Sequence, residues 1–376
     1  MIRYYAACTL GLEEVLEKEL AALGANELER RRGGVEFTGD QALGYKACLW
    51  LRSATRVQEE LLRRPVRDPR ELYDAVSELD WSSFMRVQQT LAVDASVKDS
   101  GITHSQYAGL VVKDAIVDQW KNKLGTRPNV DVENPDLPIK LSLRQDAMRL
   151  YRELSGESLH KRGYRPIQVK SPLNEATAAG LLLIAGYSGT GVLVDPMCGS
   201  GTFLIEAALI ALDRAPGLKR RFAFENWPDL DRAAWSGLRS EARSRCKQTI
   251  TARLFGADRH AGALELARLS AETAGVQDLV SFFQSSAAQF APPETPTFVI
   301  VNPPYGERLG EGADLVASWH ELGNFLHKRC AGAEAFVLCG SAELTRNLGL
   351  RSAQRWPVMN GPIECRLVRY EVRASV

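Results

Sequence analysis

Apolar positions recur along this chain with two different spacings, and where they change the fold is expected to change. In GLEEVLEKELAALGA (residues 11–25) Leu12, Val15, Leu16, Leu20 and Leu23 fall on one face and Glu or Lys on the other, the period of an amphipathic helix. Before it, RYYAAC reads as a short strand. After it, the turn RRRGG leads into the strand VEFTG, and ALGYKACLWLRSATRVQEELL reads as a helix running into a strand. Residues 1–60 are therefore expected to form a small unit of strands and helices. The proline- and charge-rich RRPVRDPRE then marks a boundary. Beyond it ELYDAVSELDW is helical, TLAVDASV alternates as a half-buried strand, SQYAGLVVKDAIVDQWKNKLG is a long helix ending at Gly125, and IKLSLRQDAMRLYREL turns as a hairpin near Asp146. A second α+β unit is expected over 65–165.

From about residue 166 the grammar becomes strict alternation. Helix NEATAAGLLLIAG is followed by strand GVLVD, helix TFLIEAALIAL, strand TARLFGAD, helix AGALELARLSAETAG, strands LVSFFQ and TFVIVN, a helix and strand AFVLCG. Helices alternating with apolar strands predict an α/β domain with a parallel sheet covered on both faces. The end, RWPVMNGPIECRLVRYEVR, predicts a hairpin around Asn360-Gly361 and so an antiparallel edge.

Composition narrows the class. At 376 residues the chain exceeds one ordinary core, given roughly 150 residues per domain. Its 45% apolar and 25% charged residues are those of an ordinary folded protein. A net charge of +1 leaves little global attraction for nucleic acid, so any such partner has to meet a local basic patch. The seven cysteines are scattered and never spaced C-x-x-C, which predicts a reducing compartment and no zinc site. No apolar run reaches the about 18 residues of a membrane span, and the first residues turn acidic where a signal peptide stays apolar. A cytoplasmic protein without a metal is expected.

The chemistry concentrates in two loops. VLVDPMCGSGTFLIEAA reads strand, glycine-rich loop, helix: Gly199 and Gly201 let backbone approach a ligand, and free amides at the helix start favour an anionic group. A dinucleotide fits poorly, because Leu204 stands where a third glycine belongs and no acid follows at the ribose-binding distance. Asp195 at its strand end suits a cationic amino group beside a carboxylate, and Asp258 ending the next strand suits ribose hydroxyls. Together they predict S-adenosylmethionine, although each acid alone also reads as a turn or cap residue.

The second loop is NPPY, at the end of the fourth strand. Pro303 and Pro304 restrict one another and hold the Pro303 carbonyl in a fixed direction, and Asn302 adds a neutral oxygen. Two such acceptors can take both hydrogens of an exocyclic amine and turn its lone pair towards a methyl donor. Tyr305 is expected to offer a stacking face to a flipped-out base. A third feature is the bridge SGESLHKRGYRPIQVKSP, where His160, Lys161, Arg162, Arg165 and Lys170 surround Tyr164. It reads either as a nucleic-acid contact with stacking or as a solvated linker.

On DPMCGSGT, NPPYGER and SPLNEATAAGLL, residues 166–376 resemble the class I, Rossmann-like S-adenosylmethionine-dependent RNA guanine-N(2) methyltransferases, in particular the bacterial large-subunit ribosomal RNA methyltransferase RlmL family. HSQYAGLVVKDAIVD and LHKRGYR resemble that family's THUMP domain and its exit, and residues 1–60 its N-terminal ferredoxin-like domain. The resemblance implies cofactor binding by Asp195, Pro196, Gly199, Gly201, Thr202, Asp258 and Ser286, and a target base held by Asn302, Pro303, Pro304 and Tyr305. It implies RNA contacts at His160, Lys161, Arg162 and Arg165, and at Lys219, Arg220 and Arg221 in the insert DRAPGLKRRFAFENW. Ser286 departs from the family's usual aspartate and weakens the expected adenine contact. The longer members carry a second methyltransferase domain, so a single modification is expected here. The implied reaction is methylation of a guanosine 2-amino group in RNA, 23S rRNA foremost, with tRNA methylation or a catalytically silent RNA-binding protein as rivals.

Overall fold

A computed structural model describes residues 1–165, 173–305 and 312–373 of the chain. Lys170 and the residues following Tyr305 in the NPPYGER motif lie outside them. The chain begins β1 (Ile2–Cys8), α1 (Glu13–Leu23), β2 (Asn26–Arg31), β3 (Gly34–Gly39), α2 (Gln41–Trp50) and β4 (Ala54–Pro65). It continues α3 (Pro69–Ser77), β5 (Thr90–Lys98), α4 (Ser105–Leu124), β6 (Asn129–Val130), β7 (Leu137–Arg144) and β8 (Ala147–Glu153). These eight strands form one sheet in the order β2-β3-β1-β4-β8-β7-β5-β6.

The two units expected on either side of RRPVRDPRE therefore share a sheet. β4 is the reason: Tyr4 pairs with Glu59 on one of its edges, while Arg64 and Pro65 pair with Met148 and Ala147 on the other. Pro65 is tolerated because β1 pairs with β4 only as far as Glu59, so this end of β4 has a partner on one edge alone. The predicted hairpin is β7–β8, turned by Gln145 and Asp146, both at positive φ.

The second sheet is built from β9 (Val192–Asp195), β10 (Arg253–Asp258), β11 (Val280–Gln284), β12 (Phe298–Val301), β13 (Glu334–Cys339), β14 (Ser352–Asn360) and β15 (Ile363–Glu371). Its order is β11-β10-β9-β12-β13-β15-β14, five parallel strands closed by an antiparallel hairpin. After β9 the chain winds outward to β11 and returns to β12 on the other side of β9. That reversal opens a crevice at the carboxyl ends of β9, β10 and β12, where open α/β sheets bind ligands.

Helices α5 (Glu175–Ile184), α6 (Thr202–Ala211), α7 (Arg232–Arg245), α8 (Ala261–Ala274) and α9 (Gly312–Arg329) complete the domain. α5 and α6 are apolar almost all round, as helices covered on both sides must be. α5 is started by Asn174, whose side chain accepts the Thr177 amide. Leu12 of the first unit packs so closely on α5 that a side chain at Gly180 would meet it at 2.6 Å. The insert after α6 fills the opposite seam: Phe222 and Phe224 stack, and Phe224 stacks on Tyr45 of α2 with ring centroids 4.4 Å apart. Burying one such ring contributes about 1.5–3 kcal/mol. One core consequently runs through both sheets' flanks. Among the described residues no helix is long and apolar enough to cross a membrane.

Candidate active site

The crevice is lined by the loop after β9, the end of β10 and the loop after β12. Asp195 is 2% exposed, and its carboxylate accepts the Met197 amide at 3.1 Å. Burial, and secondarily the charge of Asp258, pushes its pKa well above the usual carboxylate range. Among the described residues no cation pairs with it, so the site favours a ligand that brings one.

Asp258 holds the glycine loop in place. One carboxylate oxygen accepts the Gly199 amide at 2.9 Å and the other the His260 amide at 2.9 Å. Each oxygen retains a second lone pair for a ligand hydroxyl. Gly199 and Gly201 adopt φ of +53° and +75°, the left-handed region that glycine enters freely. A side chain at Gly199 would meet nothing within 4 Å, which leaves a cradle beside the loop, whereas one at Gly201 would press on Phe282 and Ala267. Pro196 is buried behind the loop, and Ser286 is half-buried just after β11. A buried acid lacking a cation, a second acid on the next strand and an open glycine turn fit the S-adenosylmethionine expected from the sequence.

The hydroxyl of Thr202, expected to touch the cofactor, accepts from Arg165 Nη2 at 2.6 Å. Arg165 also donates to the Leu173 carbonyl at 2.7 Å and lies 3.3 Å from the Glu175 carboxylate. It clamps the start of α6 to the start of α5.

At the end of β12, Asn302 Oδ1 is buried with no hydrogen-bond partner among the described residues. Buried acceptors are almost always satisfied, and an orphan in a crevice marks a place prepared for a donor. No donor among the described residues reaches the Pro303 carbonyl either. The Pro304 carbonyl is held from behind by Trp319 Nε1 of α9 at 2.9 Å. The stacking platform is corrected: Tyr305 is only 9% exposed, packed against Gly340, with its hydroxyl accepting from Asn360 Nδ2 at 2.7 Å. Burial raises its pKa. Tyr305 thus braces the loop against the β14–β15 hairpin.

The basic bridge is corrected as well. Tyr164 is buried and donates to Glu206 of α6 at 2.9 Å. Arg162 is buried, donates to the Leu159 and Arg52 carbonyls and stands 3.7 Å from Glu206. Arg220 is buried and donates to the Glu157, Ser158 and Lys161 carbonyls. These guanidiniums satisfy backbone carbonyls where the chain crosses between domains, so neither is free for phosphate. His160 is half-buried, its Nδ1 2.7 Å from the Ser158 hydroxyl, and Lys219 donates to the Thr273 carbonyl at 3.0 Å. Lys161 and Arg221 remain exposed, Lys161 beside Glu157 at 2.6 Å. Sequence reasoning missed Trp319, Asn360 and Cys365, the residues that hold the NPPY loop from behind.

Comparison with known proteins gives the family of the chain. Residues 162–369 match the family described as RMKL-like, methyltransferase domain, residues 3–58 the RlmL ferredoxin-like domain and residues 66–153 the THUMP domain. A protein named ribosomal RNA large subunit methyltransferase K/L from Syntrophotalea carbinolica is 40% identical over 99% of this chain, which spans 54% of that protein. A putative RNA methyltransferase from Synechocystis is 36% identical over 98% of this chain and 96% of its own length. The fold superposes on a crystal structure of a putative methyltransferase complexed with SAH, with a TM-score of 0.91 and 30% identity over 100% of this chain and 99% of the other. With 36% identity along almost the whole Synechocystis protein and a family match over more than half its own length, the chain belongs to the RMKL-like methyltransferases.

Proposed function

We propose that this protein transfers a methyl group from S-adenosylmethionine to the 2-amino group of a guanosine in large-subunit ribosomal RNA, in the cytoplasm. The observation that carries the reading is the buried Oδ1 of Asn302 at the mouth of the crevice, without a partner among the described residues. A neutral oxygen left without a donor suits an uncharged amine, which brings N–H groups and no charge. Support for RNA comes from the THUMP match, and support for the ribosomal large subunit from the name carried by the Syntrophotalea relative.

When bound, S-adenosylmethionine supplies a methyl group already activated on a cationic sulfur. Asp195 receives the ligand's ammonium group, and Asp258 accepts from its ribose hydroxyls. Ser286 offers one acceptor to the adenine edge. Asn302 Oδ1 and the Pro303 carbonyl accept the two N–H groups of the guanine amine. As that nitrogen becomes tetrahedral its hydrogens grow more acidic, and both bonds strengthen most in the transition state. Tyr305 and Trp319 keep the acceptors from moving, which is worth more here than any additional contact.

The test is incubation of the protein and labelled S-adenosylmethionine with unmodified 23S rRNA transcript, bulk tRNA and duplex DNA in parallel, followed by nucleoside digestion. Label in N2-methylguanosine from the 23S transcript is expected. Label confined to tRNA or DNA, or found on another nucleoside, overturns the assignment.

A further inference from the structure

Behind the catalytic loop lies a second concavity, of about 900 Å³, between the first domain and the β14–β15 hairpin. Its lining includes four arginines, Arg32, Arg346, Arg355 and Arg366, and one acid, Glu364. Arg32 comes from the turn between β2 and β3, and Arg346 from the short helical turn Leu344–Leu348 after β13. The other two belong to the hairpin. Pro357 pairs with Arg366, and Arg355 lies two residues from Pro357, so Arg355 and Arg366 project from the same face of the sheet. All four are exposed, and none pairs with a carboxylate among the described residues. Other exposed arginines, such as Arg127, Arg144 and Arg243, also lack a carboxylate partner among the described residues, and what sets these four apart is that they line one concavity.

The groove is fixed in position relative to the active site. Its floor is an interdomain seam: the Met359 amide donates to the Leu10 carbonyl at 3.0 Å, and a side chain at Gly11 would meet the Pro357 carbonyl at 2.2 Å. Its inner end is Gly340 and Cys365, the residues against which Tyr305 packs and bonds. A polymer lying in it would thus pass within one residue's thickness of the NPPY loop.

We infer that this arginine-lined groove between the first domain and the β14–β15 hairpin binds the phosphodiester backbone of the RNA strand that carries the target nucleotide. Unpaired arginines drawn from two domains suit a chain of phosphates, each a bidentate partner for a guanidinium, better than a single small anion. The inference rests on the proposed RNA substrate. It also gives the fused first domain a direct part in substrate binding, through Arg32.

The test replaces Arg32, Arg346, Arg355 and Arg366 with Gln, singly and together, and measures binding and methylation of unmodified 23S rRNA transcript at several salt concentrations. Each lost phosphate contact is expected to lower the steepness of log K against log salt by about 0.7–0.9. The quadruple variant should bind roughly ten- to a hundredfold more weakly, with the loss in kcat/KM carried by KM and with S-adenosylmethionine affinity and melting temperature retained. Unchanged RNA affinity and salt slope in the folded quadruple variant would overturn the groove while leaving the proposed reaction standing. Loss of RNA binding in that variant, combined with no methyl transfer by the native protein, would support the groove and sink the reaction instead.

Discussion

Trp319 and Pro304 are joined by a single hydrogen bond, indole Nε1 to backbone carbonyl at 2.9 Å, and through it α9 carries the NPPY loop. The indole is fully buried, so water does not compete for that bond. Trp319→Phe keeps most of the packing and removes the donor. A hydrogen bond of this kind is worth about 0.5–1.5 kcal/mol, and we expect kcat to fall by about tenfold with S-adenosylmethionine affinity unchanged. A loss of melting temperature with kcat intact would show that Trp319 serves packing alone.

Asn302 provides the more direct test of the acceptor role. Its Oδ1 has no partner among the described residues, so Asn302→Ala breaks no bond to them at that atom and should leave the fold intact. Removing one transition-state hydrogen-bonding group costs about 10²–10³ in kcat. Single-turnover methyl transfer should drop by that factor while calorimetric S-adenosylmethionine binding persists. Full activity in the variant would refute the role.

Asp195 ties ligand binding to pH. Burial raises its pKa in the folded protein, so the folded state holds the proton more firmly than the unfolded chain does. The unliganded protein therefore loses stability as pH rises above the ordinary carboxylate range, because ionising Asp195 leaves a buried charge without a partner. Asp195→Asn removes that penalty. The variant should melt higher than the native protein by a margin that widens as pH rises above the ordinary carboxylate range, and it should bind S-adenosylmethionine far more weakly. A constant margin across pH would contradict the assignment.

The fold was legible where the sequence repeats a local rule. Alternating strands and helices gave the parallel sheet, and acids at strand ends gave Asp195 and Asp258, because parallel strands present their carboxyl ends on one side. β2, NELERR, escaped because Leu28 is its one apolar residue and no alternation forms: it is an exposed edge strand held by pairing with β3. α7 carried a readable signal, Asp231 as cap followed by Trp235, Leu238 and Ala242 at helical spacing, which the insert's basic run obscured. Arg162, Tyr164 and Arg220 were misjudged for a different reason. Their partners, Glu206 on α6 and backbone carbonyls across the domain seam, lie far off in sequence, and charge density alone does not tell an exposed arginine from a buried one.

That misjudged bridge yields a stability prediction. Arg162 and Glu206 are both essentially without solvent exposure, 3.7 Å apart, with Tyr164 donating to the same carboxylate. Removing one partner of a buried pair leaves the other uncompensated at a cost of about 3–5 kcal/mol. Arg162→Met should therefore lower unfolding free energy by that amount in urea, and the double variant Arg162→Met with Glu206→Gln should recover part of it, since the stranded carboxylate is gone. Arg221, exposed in the insert after α6, provides the contrast: Arg221→Ala should leave stability within about 0.5 kcal/mol of the native protein. If Arg162→Met proved as stable as Arg221→Ala, the guanidinium would be free in solution, and the phosphate-binding role read from the sequence would return.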